Sequence, residues 1–263
     1  MIHTKHPART QRVGLIGLGA IGTSLADLVR LDDSSSISIV GALVRDPERA
    51  RAADVPRVTS LMELLALRPD VVAEAASHDA LKQYGAACLR AKVPLVLLSV
   101  GALADPEVEA ALREAAAEGK TVASVASGGV GGLDLIASAA QGGLERVVHR
   151  IVKPPLALGV SVQVRTELFK GSARQAALRY PQNANVAAAV AIAGLGLDRS
   201  EVIIVADPAA TTNRQDIEAE GRFGRFALSI ENRPSATNAR TAAIVAMSLK
   251  HALEKRCRLI LVG

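Results

Sequence analysis

The segment from Arg12 to Leu31, RVGLIGLGAIGTSLADLVRL, limits the possible folds more than any other part of the chain. It sets a short apolar run, then glycines at 17, 19 and 22, then apolar residues at Ile21, Leu25, Leu28 and Val29, the spacing of one helix face. This is the first half of a βαβ unit, and G-x-G-x-x-G between strand and helix is the spacing of a dinucleotide turn. Gly17 permits the tight turn, Gly19 lets a pyrophosphate approach the backbone, and Gly22 lets the helix pack closely. With Ala20 and Ile21 they place N–H groups at the positive end of a helix. Three glycines are also compatible with a purely structural turn, so the segments that follow decide.

Those segments keep the rhythm of the first. SISIVGALV, from Ser36 to Val44, reads as a strand, and RDPERARAA as a loop and helix start. DVVAEAA, VPLVLLSV and TVASVAS read as further strands, separated by the helices HDALKQYGAACLRA and DPEVEAALREAAAEG. Such alternation implies an α/β fold, a doubly wound Rossmann-type parallel sheet covered on both faces. Where such a sheet binds NAD, an Asp or Glu near the end of the second strand holds the ribose 2′-hydroxyl. Here Arg45 occupies that corner with Asp46 just past it, which suits the 2′-phosphate of NADP or is a plain surface arginine. The expected cofactor is NAD or NADP.

From about Ser127 the pattern changes. GGVGGLDLIASAAQGG is a helix opened by glycines, ERVVHRIVKPP a strand ended by two prolines, NANVAAAVAIAGLGL a helix and EVIIVADP a strand. QDIEAEGRFGRFALSIEN alternates, with apolar residues at Ile217, Ala219 and Phe223 and then at Phe226, Leu228 and Ile230. The phase switch at Gly224 predicts a bulge or a tight turn. This half reads as an α+β domain with an open, mainly antiparallel sheet. NARTAAIVAMSLKHALEK is then a periodic helix returning to the first domain, and CRLILVG a terminal strand. The expected division is residues 1–126 plus 239–263 as the dinucleotide-binding domain and 127–238 as a substrate-binding and dimerisation domain.

The formal net charge of +5 is spread without a basic run, and five aromatics are too few for base stacking, so no nucleic-acid partner is expected. No apolar stretch approaches a membrane span, and the polar start lacks the apolar core of a signal peptide. Cys88 and Cys257 match no metal spacing, so no metal is expected, and they suit reduced thiols in a cytoplasmic protein.

Three stretches of the second half narrow the chemistry: SGGVGGLD (127–134), YPQNANVAAAVA (180–191) and ADPAATTNRQDIEAEGRFG (206–224), with KGSARQAA (170–177) leading into the second. Together they resemble the L-aspartate dehydrogenase family, a two-domain group that shares its architecture with dihydrodipicolinate reductase. The resemblance runs from the glycine turn to the C-terminal helix. It implies NAD(P)-dependent oxidation of L-aspartate to iminosuccinate, hydrolysed to oxaloacetate and ammonia, or the reverse amination, with the imine a possible source for NAD biosynthesis. It also implies a homodimer built on the second domain's sheet and a small dicarboxylate amino or oxo acid as partner.

Carried over residue by residue, the family's cofactor contacts fall on Gly129, where relatives commonly have Ala, and on Asn185, which matches and also suits a helix cap. The larger departure is Gln215, at the position where the family carries a catalytic histidine. An imidazole shuttles protons near neutral pH and a glutamine does not. Other groups are available. His78 follows the strand DVVAEAA at a carboxyl edge, and His149 and Lys153 share one face of their strand, being four apart. Lys153 is expected to bind a carboxylate, His149 to be a half-buried sheet residue, and Thr212, Asn213 and Arg214 to flank the substrate. Two alternatives stay open: a reductase of another small anionic oxo or imino acid, and a non-catalytic dinucleotide-binding protein.

Overall fold

The computed structural model describes residues 10–49, 54–235 and 238–261. The chain forms two compact units. The first takes the described residues up to Ser99, then Ala110–Ala126, and the chain from Ala246 on; the second takes Val100–Glu109 and Ser127–Val245. Residues 100–109 and 239–245, expected in the dinucleotide-binding domain, thus group with the second unit.

In the first unit β1 (Gln11–Ile16), α1 (Ala20–Arg30), β2 (Ile37–Leu43) and β3 (Arg57–Val58) precede α2 (Leu61–Ala66), β4 (Val71–Glu74), α3 (His78–Arg90) and β5 (Leu95–Leu97). Then come α4 (Pro106–Gly119), whose first turn groups with the second unit, and β6 (Ala123–Val125). The strands form one parallel sheet in the order β3-β2-β1-β4-β5-β6. Val13, Leu15, Val71, Val72, Leu95 and Val96 are fully buried, as expected of strands covered on both faces. Strand order reverses between β1 and β4, so the loops leaving these two strands diverge and open a crevice at their carboxyl ends. After β2 the expected helix start is a single 3₁₀ turn, Pro47–Arg49, and its continuation lies outside the described residues.

The second unit runs α5 (Leu133–Gln141), β7 (Leu144–Lys153), α6 (Pro155–Leu158), β8 (Thr166–Ser172), α7 (Ala173–Arg179), α8 (Asn185–Ala193), β9 (Glu201–Ala206), β10 (Asn213–Gly221) and β11 (Gly224–Asn232). Pro155 at the first position of α6 shows the double proline acting twice, stopping β7 and starting a helix with φ already set. The sheet order is β11-β10-β7-β9-β8. It is mixed: β7 and β9 run parallel and the other neighbours antiparallel. The β8 strand and its Ser172–Gln175 capping box, which opens α7, went unread in the sequence. Gly221 pairs with Gly224, so the phase switch is a two-residue hairpin turn, with Gly224 at φ +116. One sheet face carries Val147, Ile217 and Ala219 against Ile136 and Ala139 of α5 and Val190 of α8. Residues Ala187–Ala191 of α8 are all buried, and their small side chains let the helix lie close to its neighbours.

Two expectations for the C-terminal part need correction. The helix expected from Asn238 begins only at Ile244; residues 238–242 instead form β13 (Asn238–Ala242), paired antiparallel with β12 (Pro234–Ser235). The last helix, α9 (Ile244–Lys255), joins the first unit, where Lys250 pairs with Asp32 and Glu254 accepts from the Ser35 hydroxyl. The expected strand CRLILVG does not form: its described residues are turn, bend and coil, and Leu259 and Ile260 are 79% and 83% exposed. β-propensity counts only where a strand finds a partner, and this run pairs with no strand among the described residues.

Candidate functional site

In the first unit Gly17 leaves β1 at φ +96, its N–H donating to the Leu43 carbonyl at 2.9 Å. A Cβ there would lie 2.7 Å from the Ala76 methyl, so the turn fits only glycine against the loop after β4. Nothing lies within 4 Å of where a Gly19 Cβ would stand, which leaves that backbone open to a ligand. A Cβ on Gly22 would strike the Gly17 carbonyl oxygen, so helix and turn touch backbone to backbone. Gly19 is also the N-cap of α1 and has no side-chain bond, so the first-turn N–H groups, including those of Ala20 and Ile21, are left for another acceptor. An open backbone, an uncapped helix end and a tight turn together fit a pyrophosphate.

Arg45 is exposed just past β2 and has no bonded partner among the described residues, whereas Asp46 accepts from the Glu48 N–H at 3.1 Å inside its own turn. His78 is half-buried at the first position of α3, after the Ser77 N-cap. Beside it stands a group the sequence did not flag. The fully buried Glu74 carboxylate accepts from the N–H groups of Ala76 (2.8 Å), Ser77 (3.0 Å) and Ser99 (3.0 Å) and from the Ser99 hydroxyl (2.9 Å). It ties together the loops leaving β4 and β5, at the sheet edge where ligands bind in such folds.

In the second unit the apolar sheet face becomes polar at one end. Alternation turns Val147, His149, Ile151 and Lys153 of β7 to this face, with Asn213, Gln215, Ile217 and Ala219 of β10. Asn213 pairs with Asn232 of β11, and Gln215 with Ile230 and Ile151. Five polar side chains are thereby buried together: His149 1% exposed, Asn213 and Gln215 3%, and Lys153 and Asn232 5%. Their side-chain hydrogen bonds are few, and only one joins two of the five. The Lys153 Nζ donates to Asn183 Oδ1 at 2.8 Å, His149 Nε2 and Gln215 Oε1 are 2.8 Å apart, and Asn232 Nδ2 donates to the Gly129 carbonyl at 2.7 Å. The Asn213 amide, the Gln215 amide nitrogen and two of the three Lys153 protons have no partner among the described residues. A buried row with so much unused hydrogen-bonding capacity is suited to an acidic ligand rich in oxygen acceptors.

The electrostatics agree. Burial pulls the Lys153 ammonium from 10.5 down to about 8. Burial also pushes the His149 imidazole down to about 4, against the opposing influence of its bond to Gln215 and of the Asp216 carboxylate. His149 is therefore neutral at ordinary pH and buried completely, beyond the half-burial expected of it. Arg214 does not join this row: alternation sends it to the opposite face, where it pairs with Asp216 at 3.0 Å. Thr212 is half-buried just ahead of β10. A Cβ on Gly129 would meet only ordinary contacts, 3.6 Å from Asn232 Nδ2 and Val186 Cγ1, so an alanine would fit there. Asn185 is the first residue of α8 rather than its cap, and its Oδ1 accepts from the Gly101 N–H at 2.9 Å. Asn232 and Asn183 were missed; the signal for Asn232 was a polar residue in the apolar phase of an alternating strand.

Two family models match the chain: the NAD binding domain of homoserine dehydrogenase over residues 17–125, and the C-terminal part of aspartate dehydrogenase over residues 134–256. An L-aspartate dehydrogenase of Polaromonas sp. is 38% identical over 269 residues, covering 95% of this chain and 99% of its own length. L-aspartate dehydrogenase 1 of Bordetella pertussis is 42% identical over 246 residues, 92% of this chain and 94% of that one. Among solved structures, aspartate dehydrogenase from Thermotoga maritima matches with a TM-score of 0.78 at 25% identity, covering 96% of this chain and 99% of that chain.

Proposed function

The chain belongs to the L-aspartate dehydrogenase family, and from that premise we propose that it moves a hydride between NAD(P) and the α-carbon of L-aspartate. L-Aspartate and NAD(P)+ give iminosuccinate, NAD(P)H and a proton; water then converts the imine to oxaloacetate and ammonia, or the sequence runs in reverse. The observation that carries this reading is the buried polar row of Lys153, Asn213, Gln215 and Asn232, in the unit matched by the aspartate dehydrogenase C-terminal model. NAD(P), held at Gly17, Gly19 and Gly22, supplies the hydride acceptor. Arg45 is the group at the β2 corner able to meet a 2′-phosphate.

The charged Lys153, steadied by Asn183, binds one substrate carboxylate, and Asn213 and Gln215 hydrogen-bond to the remaining oxygens. Fixing both carboxylates holds the Cα–H in one orientation, which is the main requirement of hydride transfer. Proton movement is the weak step, because Gln215 neither takes nor gives a proton. Activation of water and collapse of the carbinolamine are expected to run about 10²–10⁴ slower than with an imidazole at that position. A homodimer and a cytoplasmic setting belong to the same proposal, on the family resemblance and on the free thiols of Cys88 and Cys257.

The test follows nicotinamide absorbance with oxaloacetate, ammonium and NADH or NADPH, and separately with L-aspartate and NAD+ or NADP+. Turnover in either direction supports the reading. A second reading, reduction of another small anionic oxo or imino acid, takes Gln215 as a hydrogen-bonding group that reshapes the pocket for a different substrate. It would be adopted if oxaloacetate with ammonium fails and another oxo acid is reduced. Nucleotide binding without turnover of any small oxo acid would remove both.

A further inference from the structure

We infer that His149 is a positioning residue: its Nε2–H holds Gln215 Oε1, so the Gln215 amide nitrogen is presented as a donor and recognises an oxygen acceptor of the substrate, not its ammonium. The substrate part of this inference rests on the function proposed above; the amide orientation does not.

An amide has an accepting and a donating end, and its surroundings decide which end faces where. Gln215 has one bonded neighbour among the described residues, the His149 imidazole, so that contact decides. The other ring nitrogen, Nδ1, is buried and has no partner among the described residues. Two arrangements are available to a neutral ring. If Nε2 carries the proton, it donates to Gln215 Oε1 and Nδ1 keeps an unused lone pair. If Nδ1 carries the proton, Nε2 accepts from the Gln215 amide and an N–H is orphaned inside the protein. Orphaned buried donors are the rarer and costlier defect. The first arrangement is selected, and an imidazolium would donate from Nε2 as well, so the Gln215 carbonyl faces the ring in either charge state.

The neighbours of the ring give it no competing role. On its own sheet face it lies opposite Ile217 of β10 and Val202 of β9, both fully buried and apolar. Asp216, the nearby carboxylate, is on the opposite side of β10 by alternation. The ring cannot hand a proton to the substrate, being enclosed, but it can lock the side chain next to it. The consequence is chemical. With its oxygen committed, Gln215 offers only N–H groups and adds them to the two unused Lys153 protons and to Asn213. That row of donors selects carboxylate and oxo oxygens and leaves the substrate nitrogen without a direct acceptor from Gln215.

Imidazole 15N NMR of the full chain, with the His149 signals assigned by their loss in His149→Gln, reads the tautomer without any substrate. Nε2–H with an unprotonated Nδ1 is expected; Nδ1–H overturns the inference. Kinetics of oxaloacetate amination then read the consequence. His149→Phe releases the amide, and KM for oxaloacetate is expected to rise roughly 10- to 100-fold, the worth of one hydrogen bond to a charged group. kcat should change less than about threefold and nucleotide Kd should hold, since general acid–base loss would instead cost about 10²–10⁴ in rate. His149→Gln, whose amide can donate to the Gln215 oxygen, should recover most of the lost affinity. A lower melting temperature with unchanged KM, or a fall in kcat at constant KM, overturns the positioning role. If the wild-type chain fails to turn over oxaloacetate, the proposed function falls, and the tautomer measurement still decides how Gln215 is held.

Discussion

Lys153→Met separates what the buried ammonium does for binding from what it does to the fold. Lys153 is 5% exposed, and burial brings it from 10.5 to about 8. At about 1.4 kcal/mol per tenfold change in proton affinity, the folded state disfavours the charged form by about 3 kcal/mol. The sign follows from proton counting. Below the folded value of about 8 both states are protonated and the whole penalty is present. Between about 8 and 10.5 the folded chain has released its proton while the unfolded chain keeps it, so stability rises with pH. Above 10.5 the penalty is gone. Methionine fills a similar stem and does not titrate, so urea unfolding of both proteins across this window isolates one group, the other titrations cancelling. The wild type should gain about 3 kcal/mol on the variant between the two values. At neutral pH the variant should be at least as stable, less about 1 kcal/mol for an Asn183 oxygen left without its donor. Activity must run the other way: kcat/KM for the dicarboxylate should fall as pH rises through about 8, and Lys153→Met should be poor and flat. A stability difference that does not change with pH would refute the reasoning.

Gln215→His should raise kcat for aspartate oxidation by at least about tenfold, with nucleotide affinity unchanged, if proton transfer limits the present site; stopped-flow and steady-state rates decide it. Arg45→Ala should weaken NADPH about tenfold and leave NADH alone in calorimetry, and an equal effect on both would exclude contact with the 2′-phosphate. Gly22→Ala drives a methyl into the Gly17 carbonyl; it should lower stability by about 1–3 kcal/mol and nucleotide affinity with it, and unchanged binding would disprove the cradle. Glu74→Gln turns an NH₂ group toward existing donors and should reduce unfolding free energy by about 2–4 kcal/mol, read as a lower urea midpoint at constant slope.

The first sheet and its glycine turn were legible because their signals are local: a strand, a turn and a helix face within one short segment. The shared face of His149 and Lys153 was legible for the same reason, being a matter of one strand's period. The polar row as a whole was not. It depends on the register of β7, β10 and β11, and β7 and β10 are brought together only by pairing of residues such as Ile151 with Gln215. Arg214 could have been set aside from the sequence, since period two places it opposite Asn213 and Gln215. Glu74 carried no local mark, because two of its four bonds come from Ser99, twenty-five positions on. CRLILVG misled in the opposite sense: strand propensity was present, but its described residues pair with no strand.

The last helix gives the first unit a history as well as a shape. Its chain leaves at Ser99, returns for Ala110–Ala126, and comes back from Ala246 on, where Lys250 and Glu254 bind Asp32 and the Ser35 hydroxyl. A ribosome delivers α9 only after the whole second unit has been made. The segment between α1 and β2, among the first to emerge, therefore waits through nearly all of synthesis for the side chains that fasten it. Nucleotide binding in nascent chains should accordingly strengthen late, when the residues of α9 clear the exit tunnel, although the glycine turn was complete from the start.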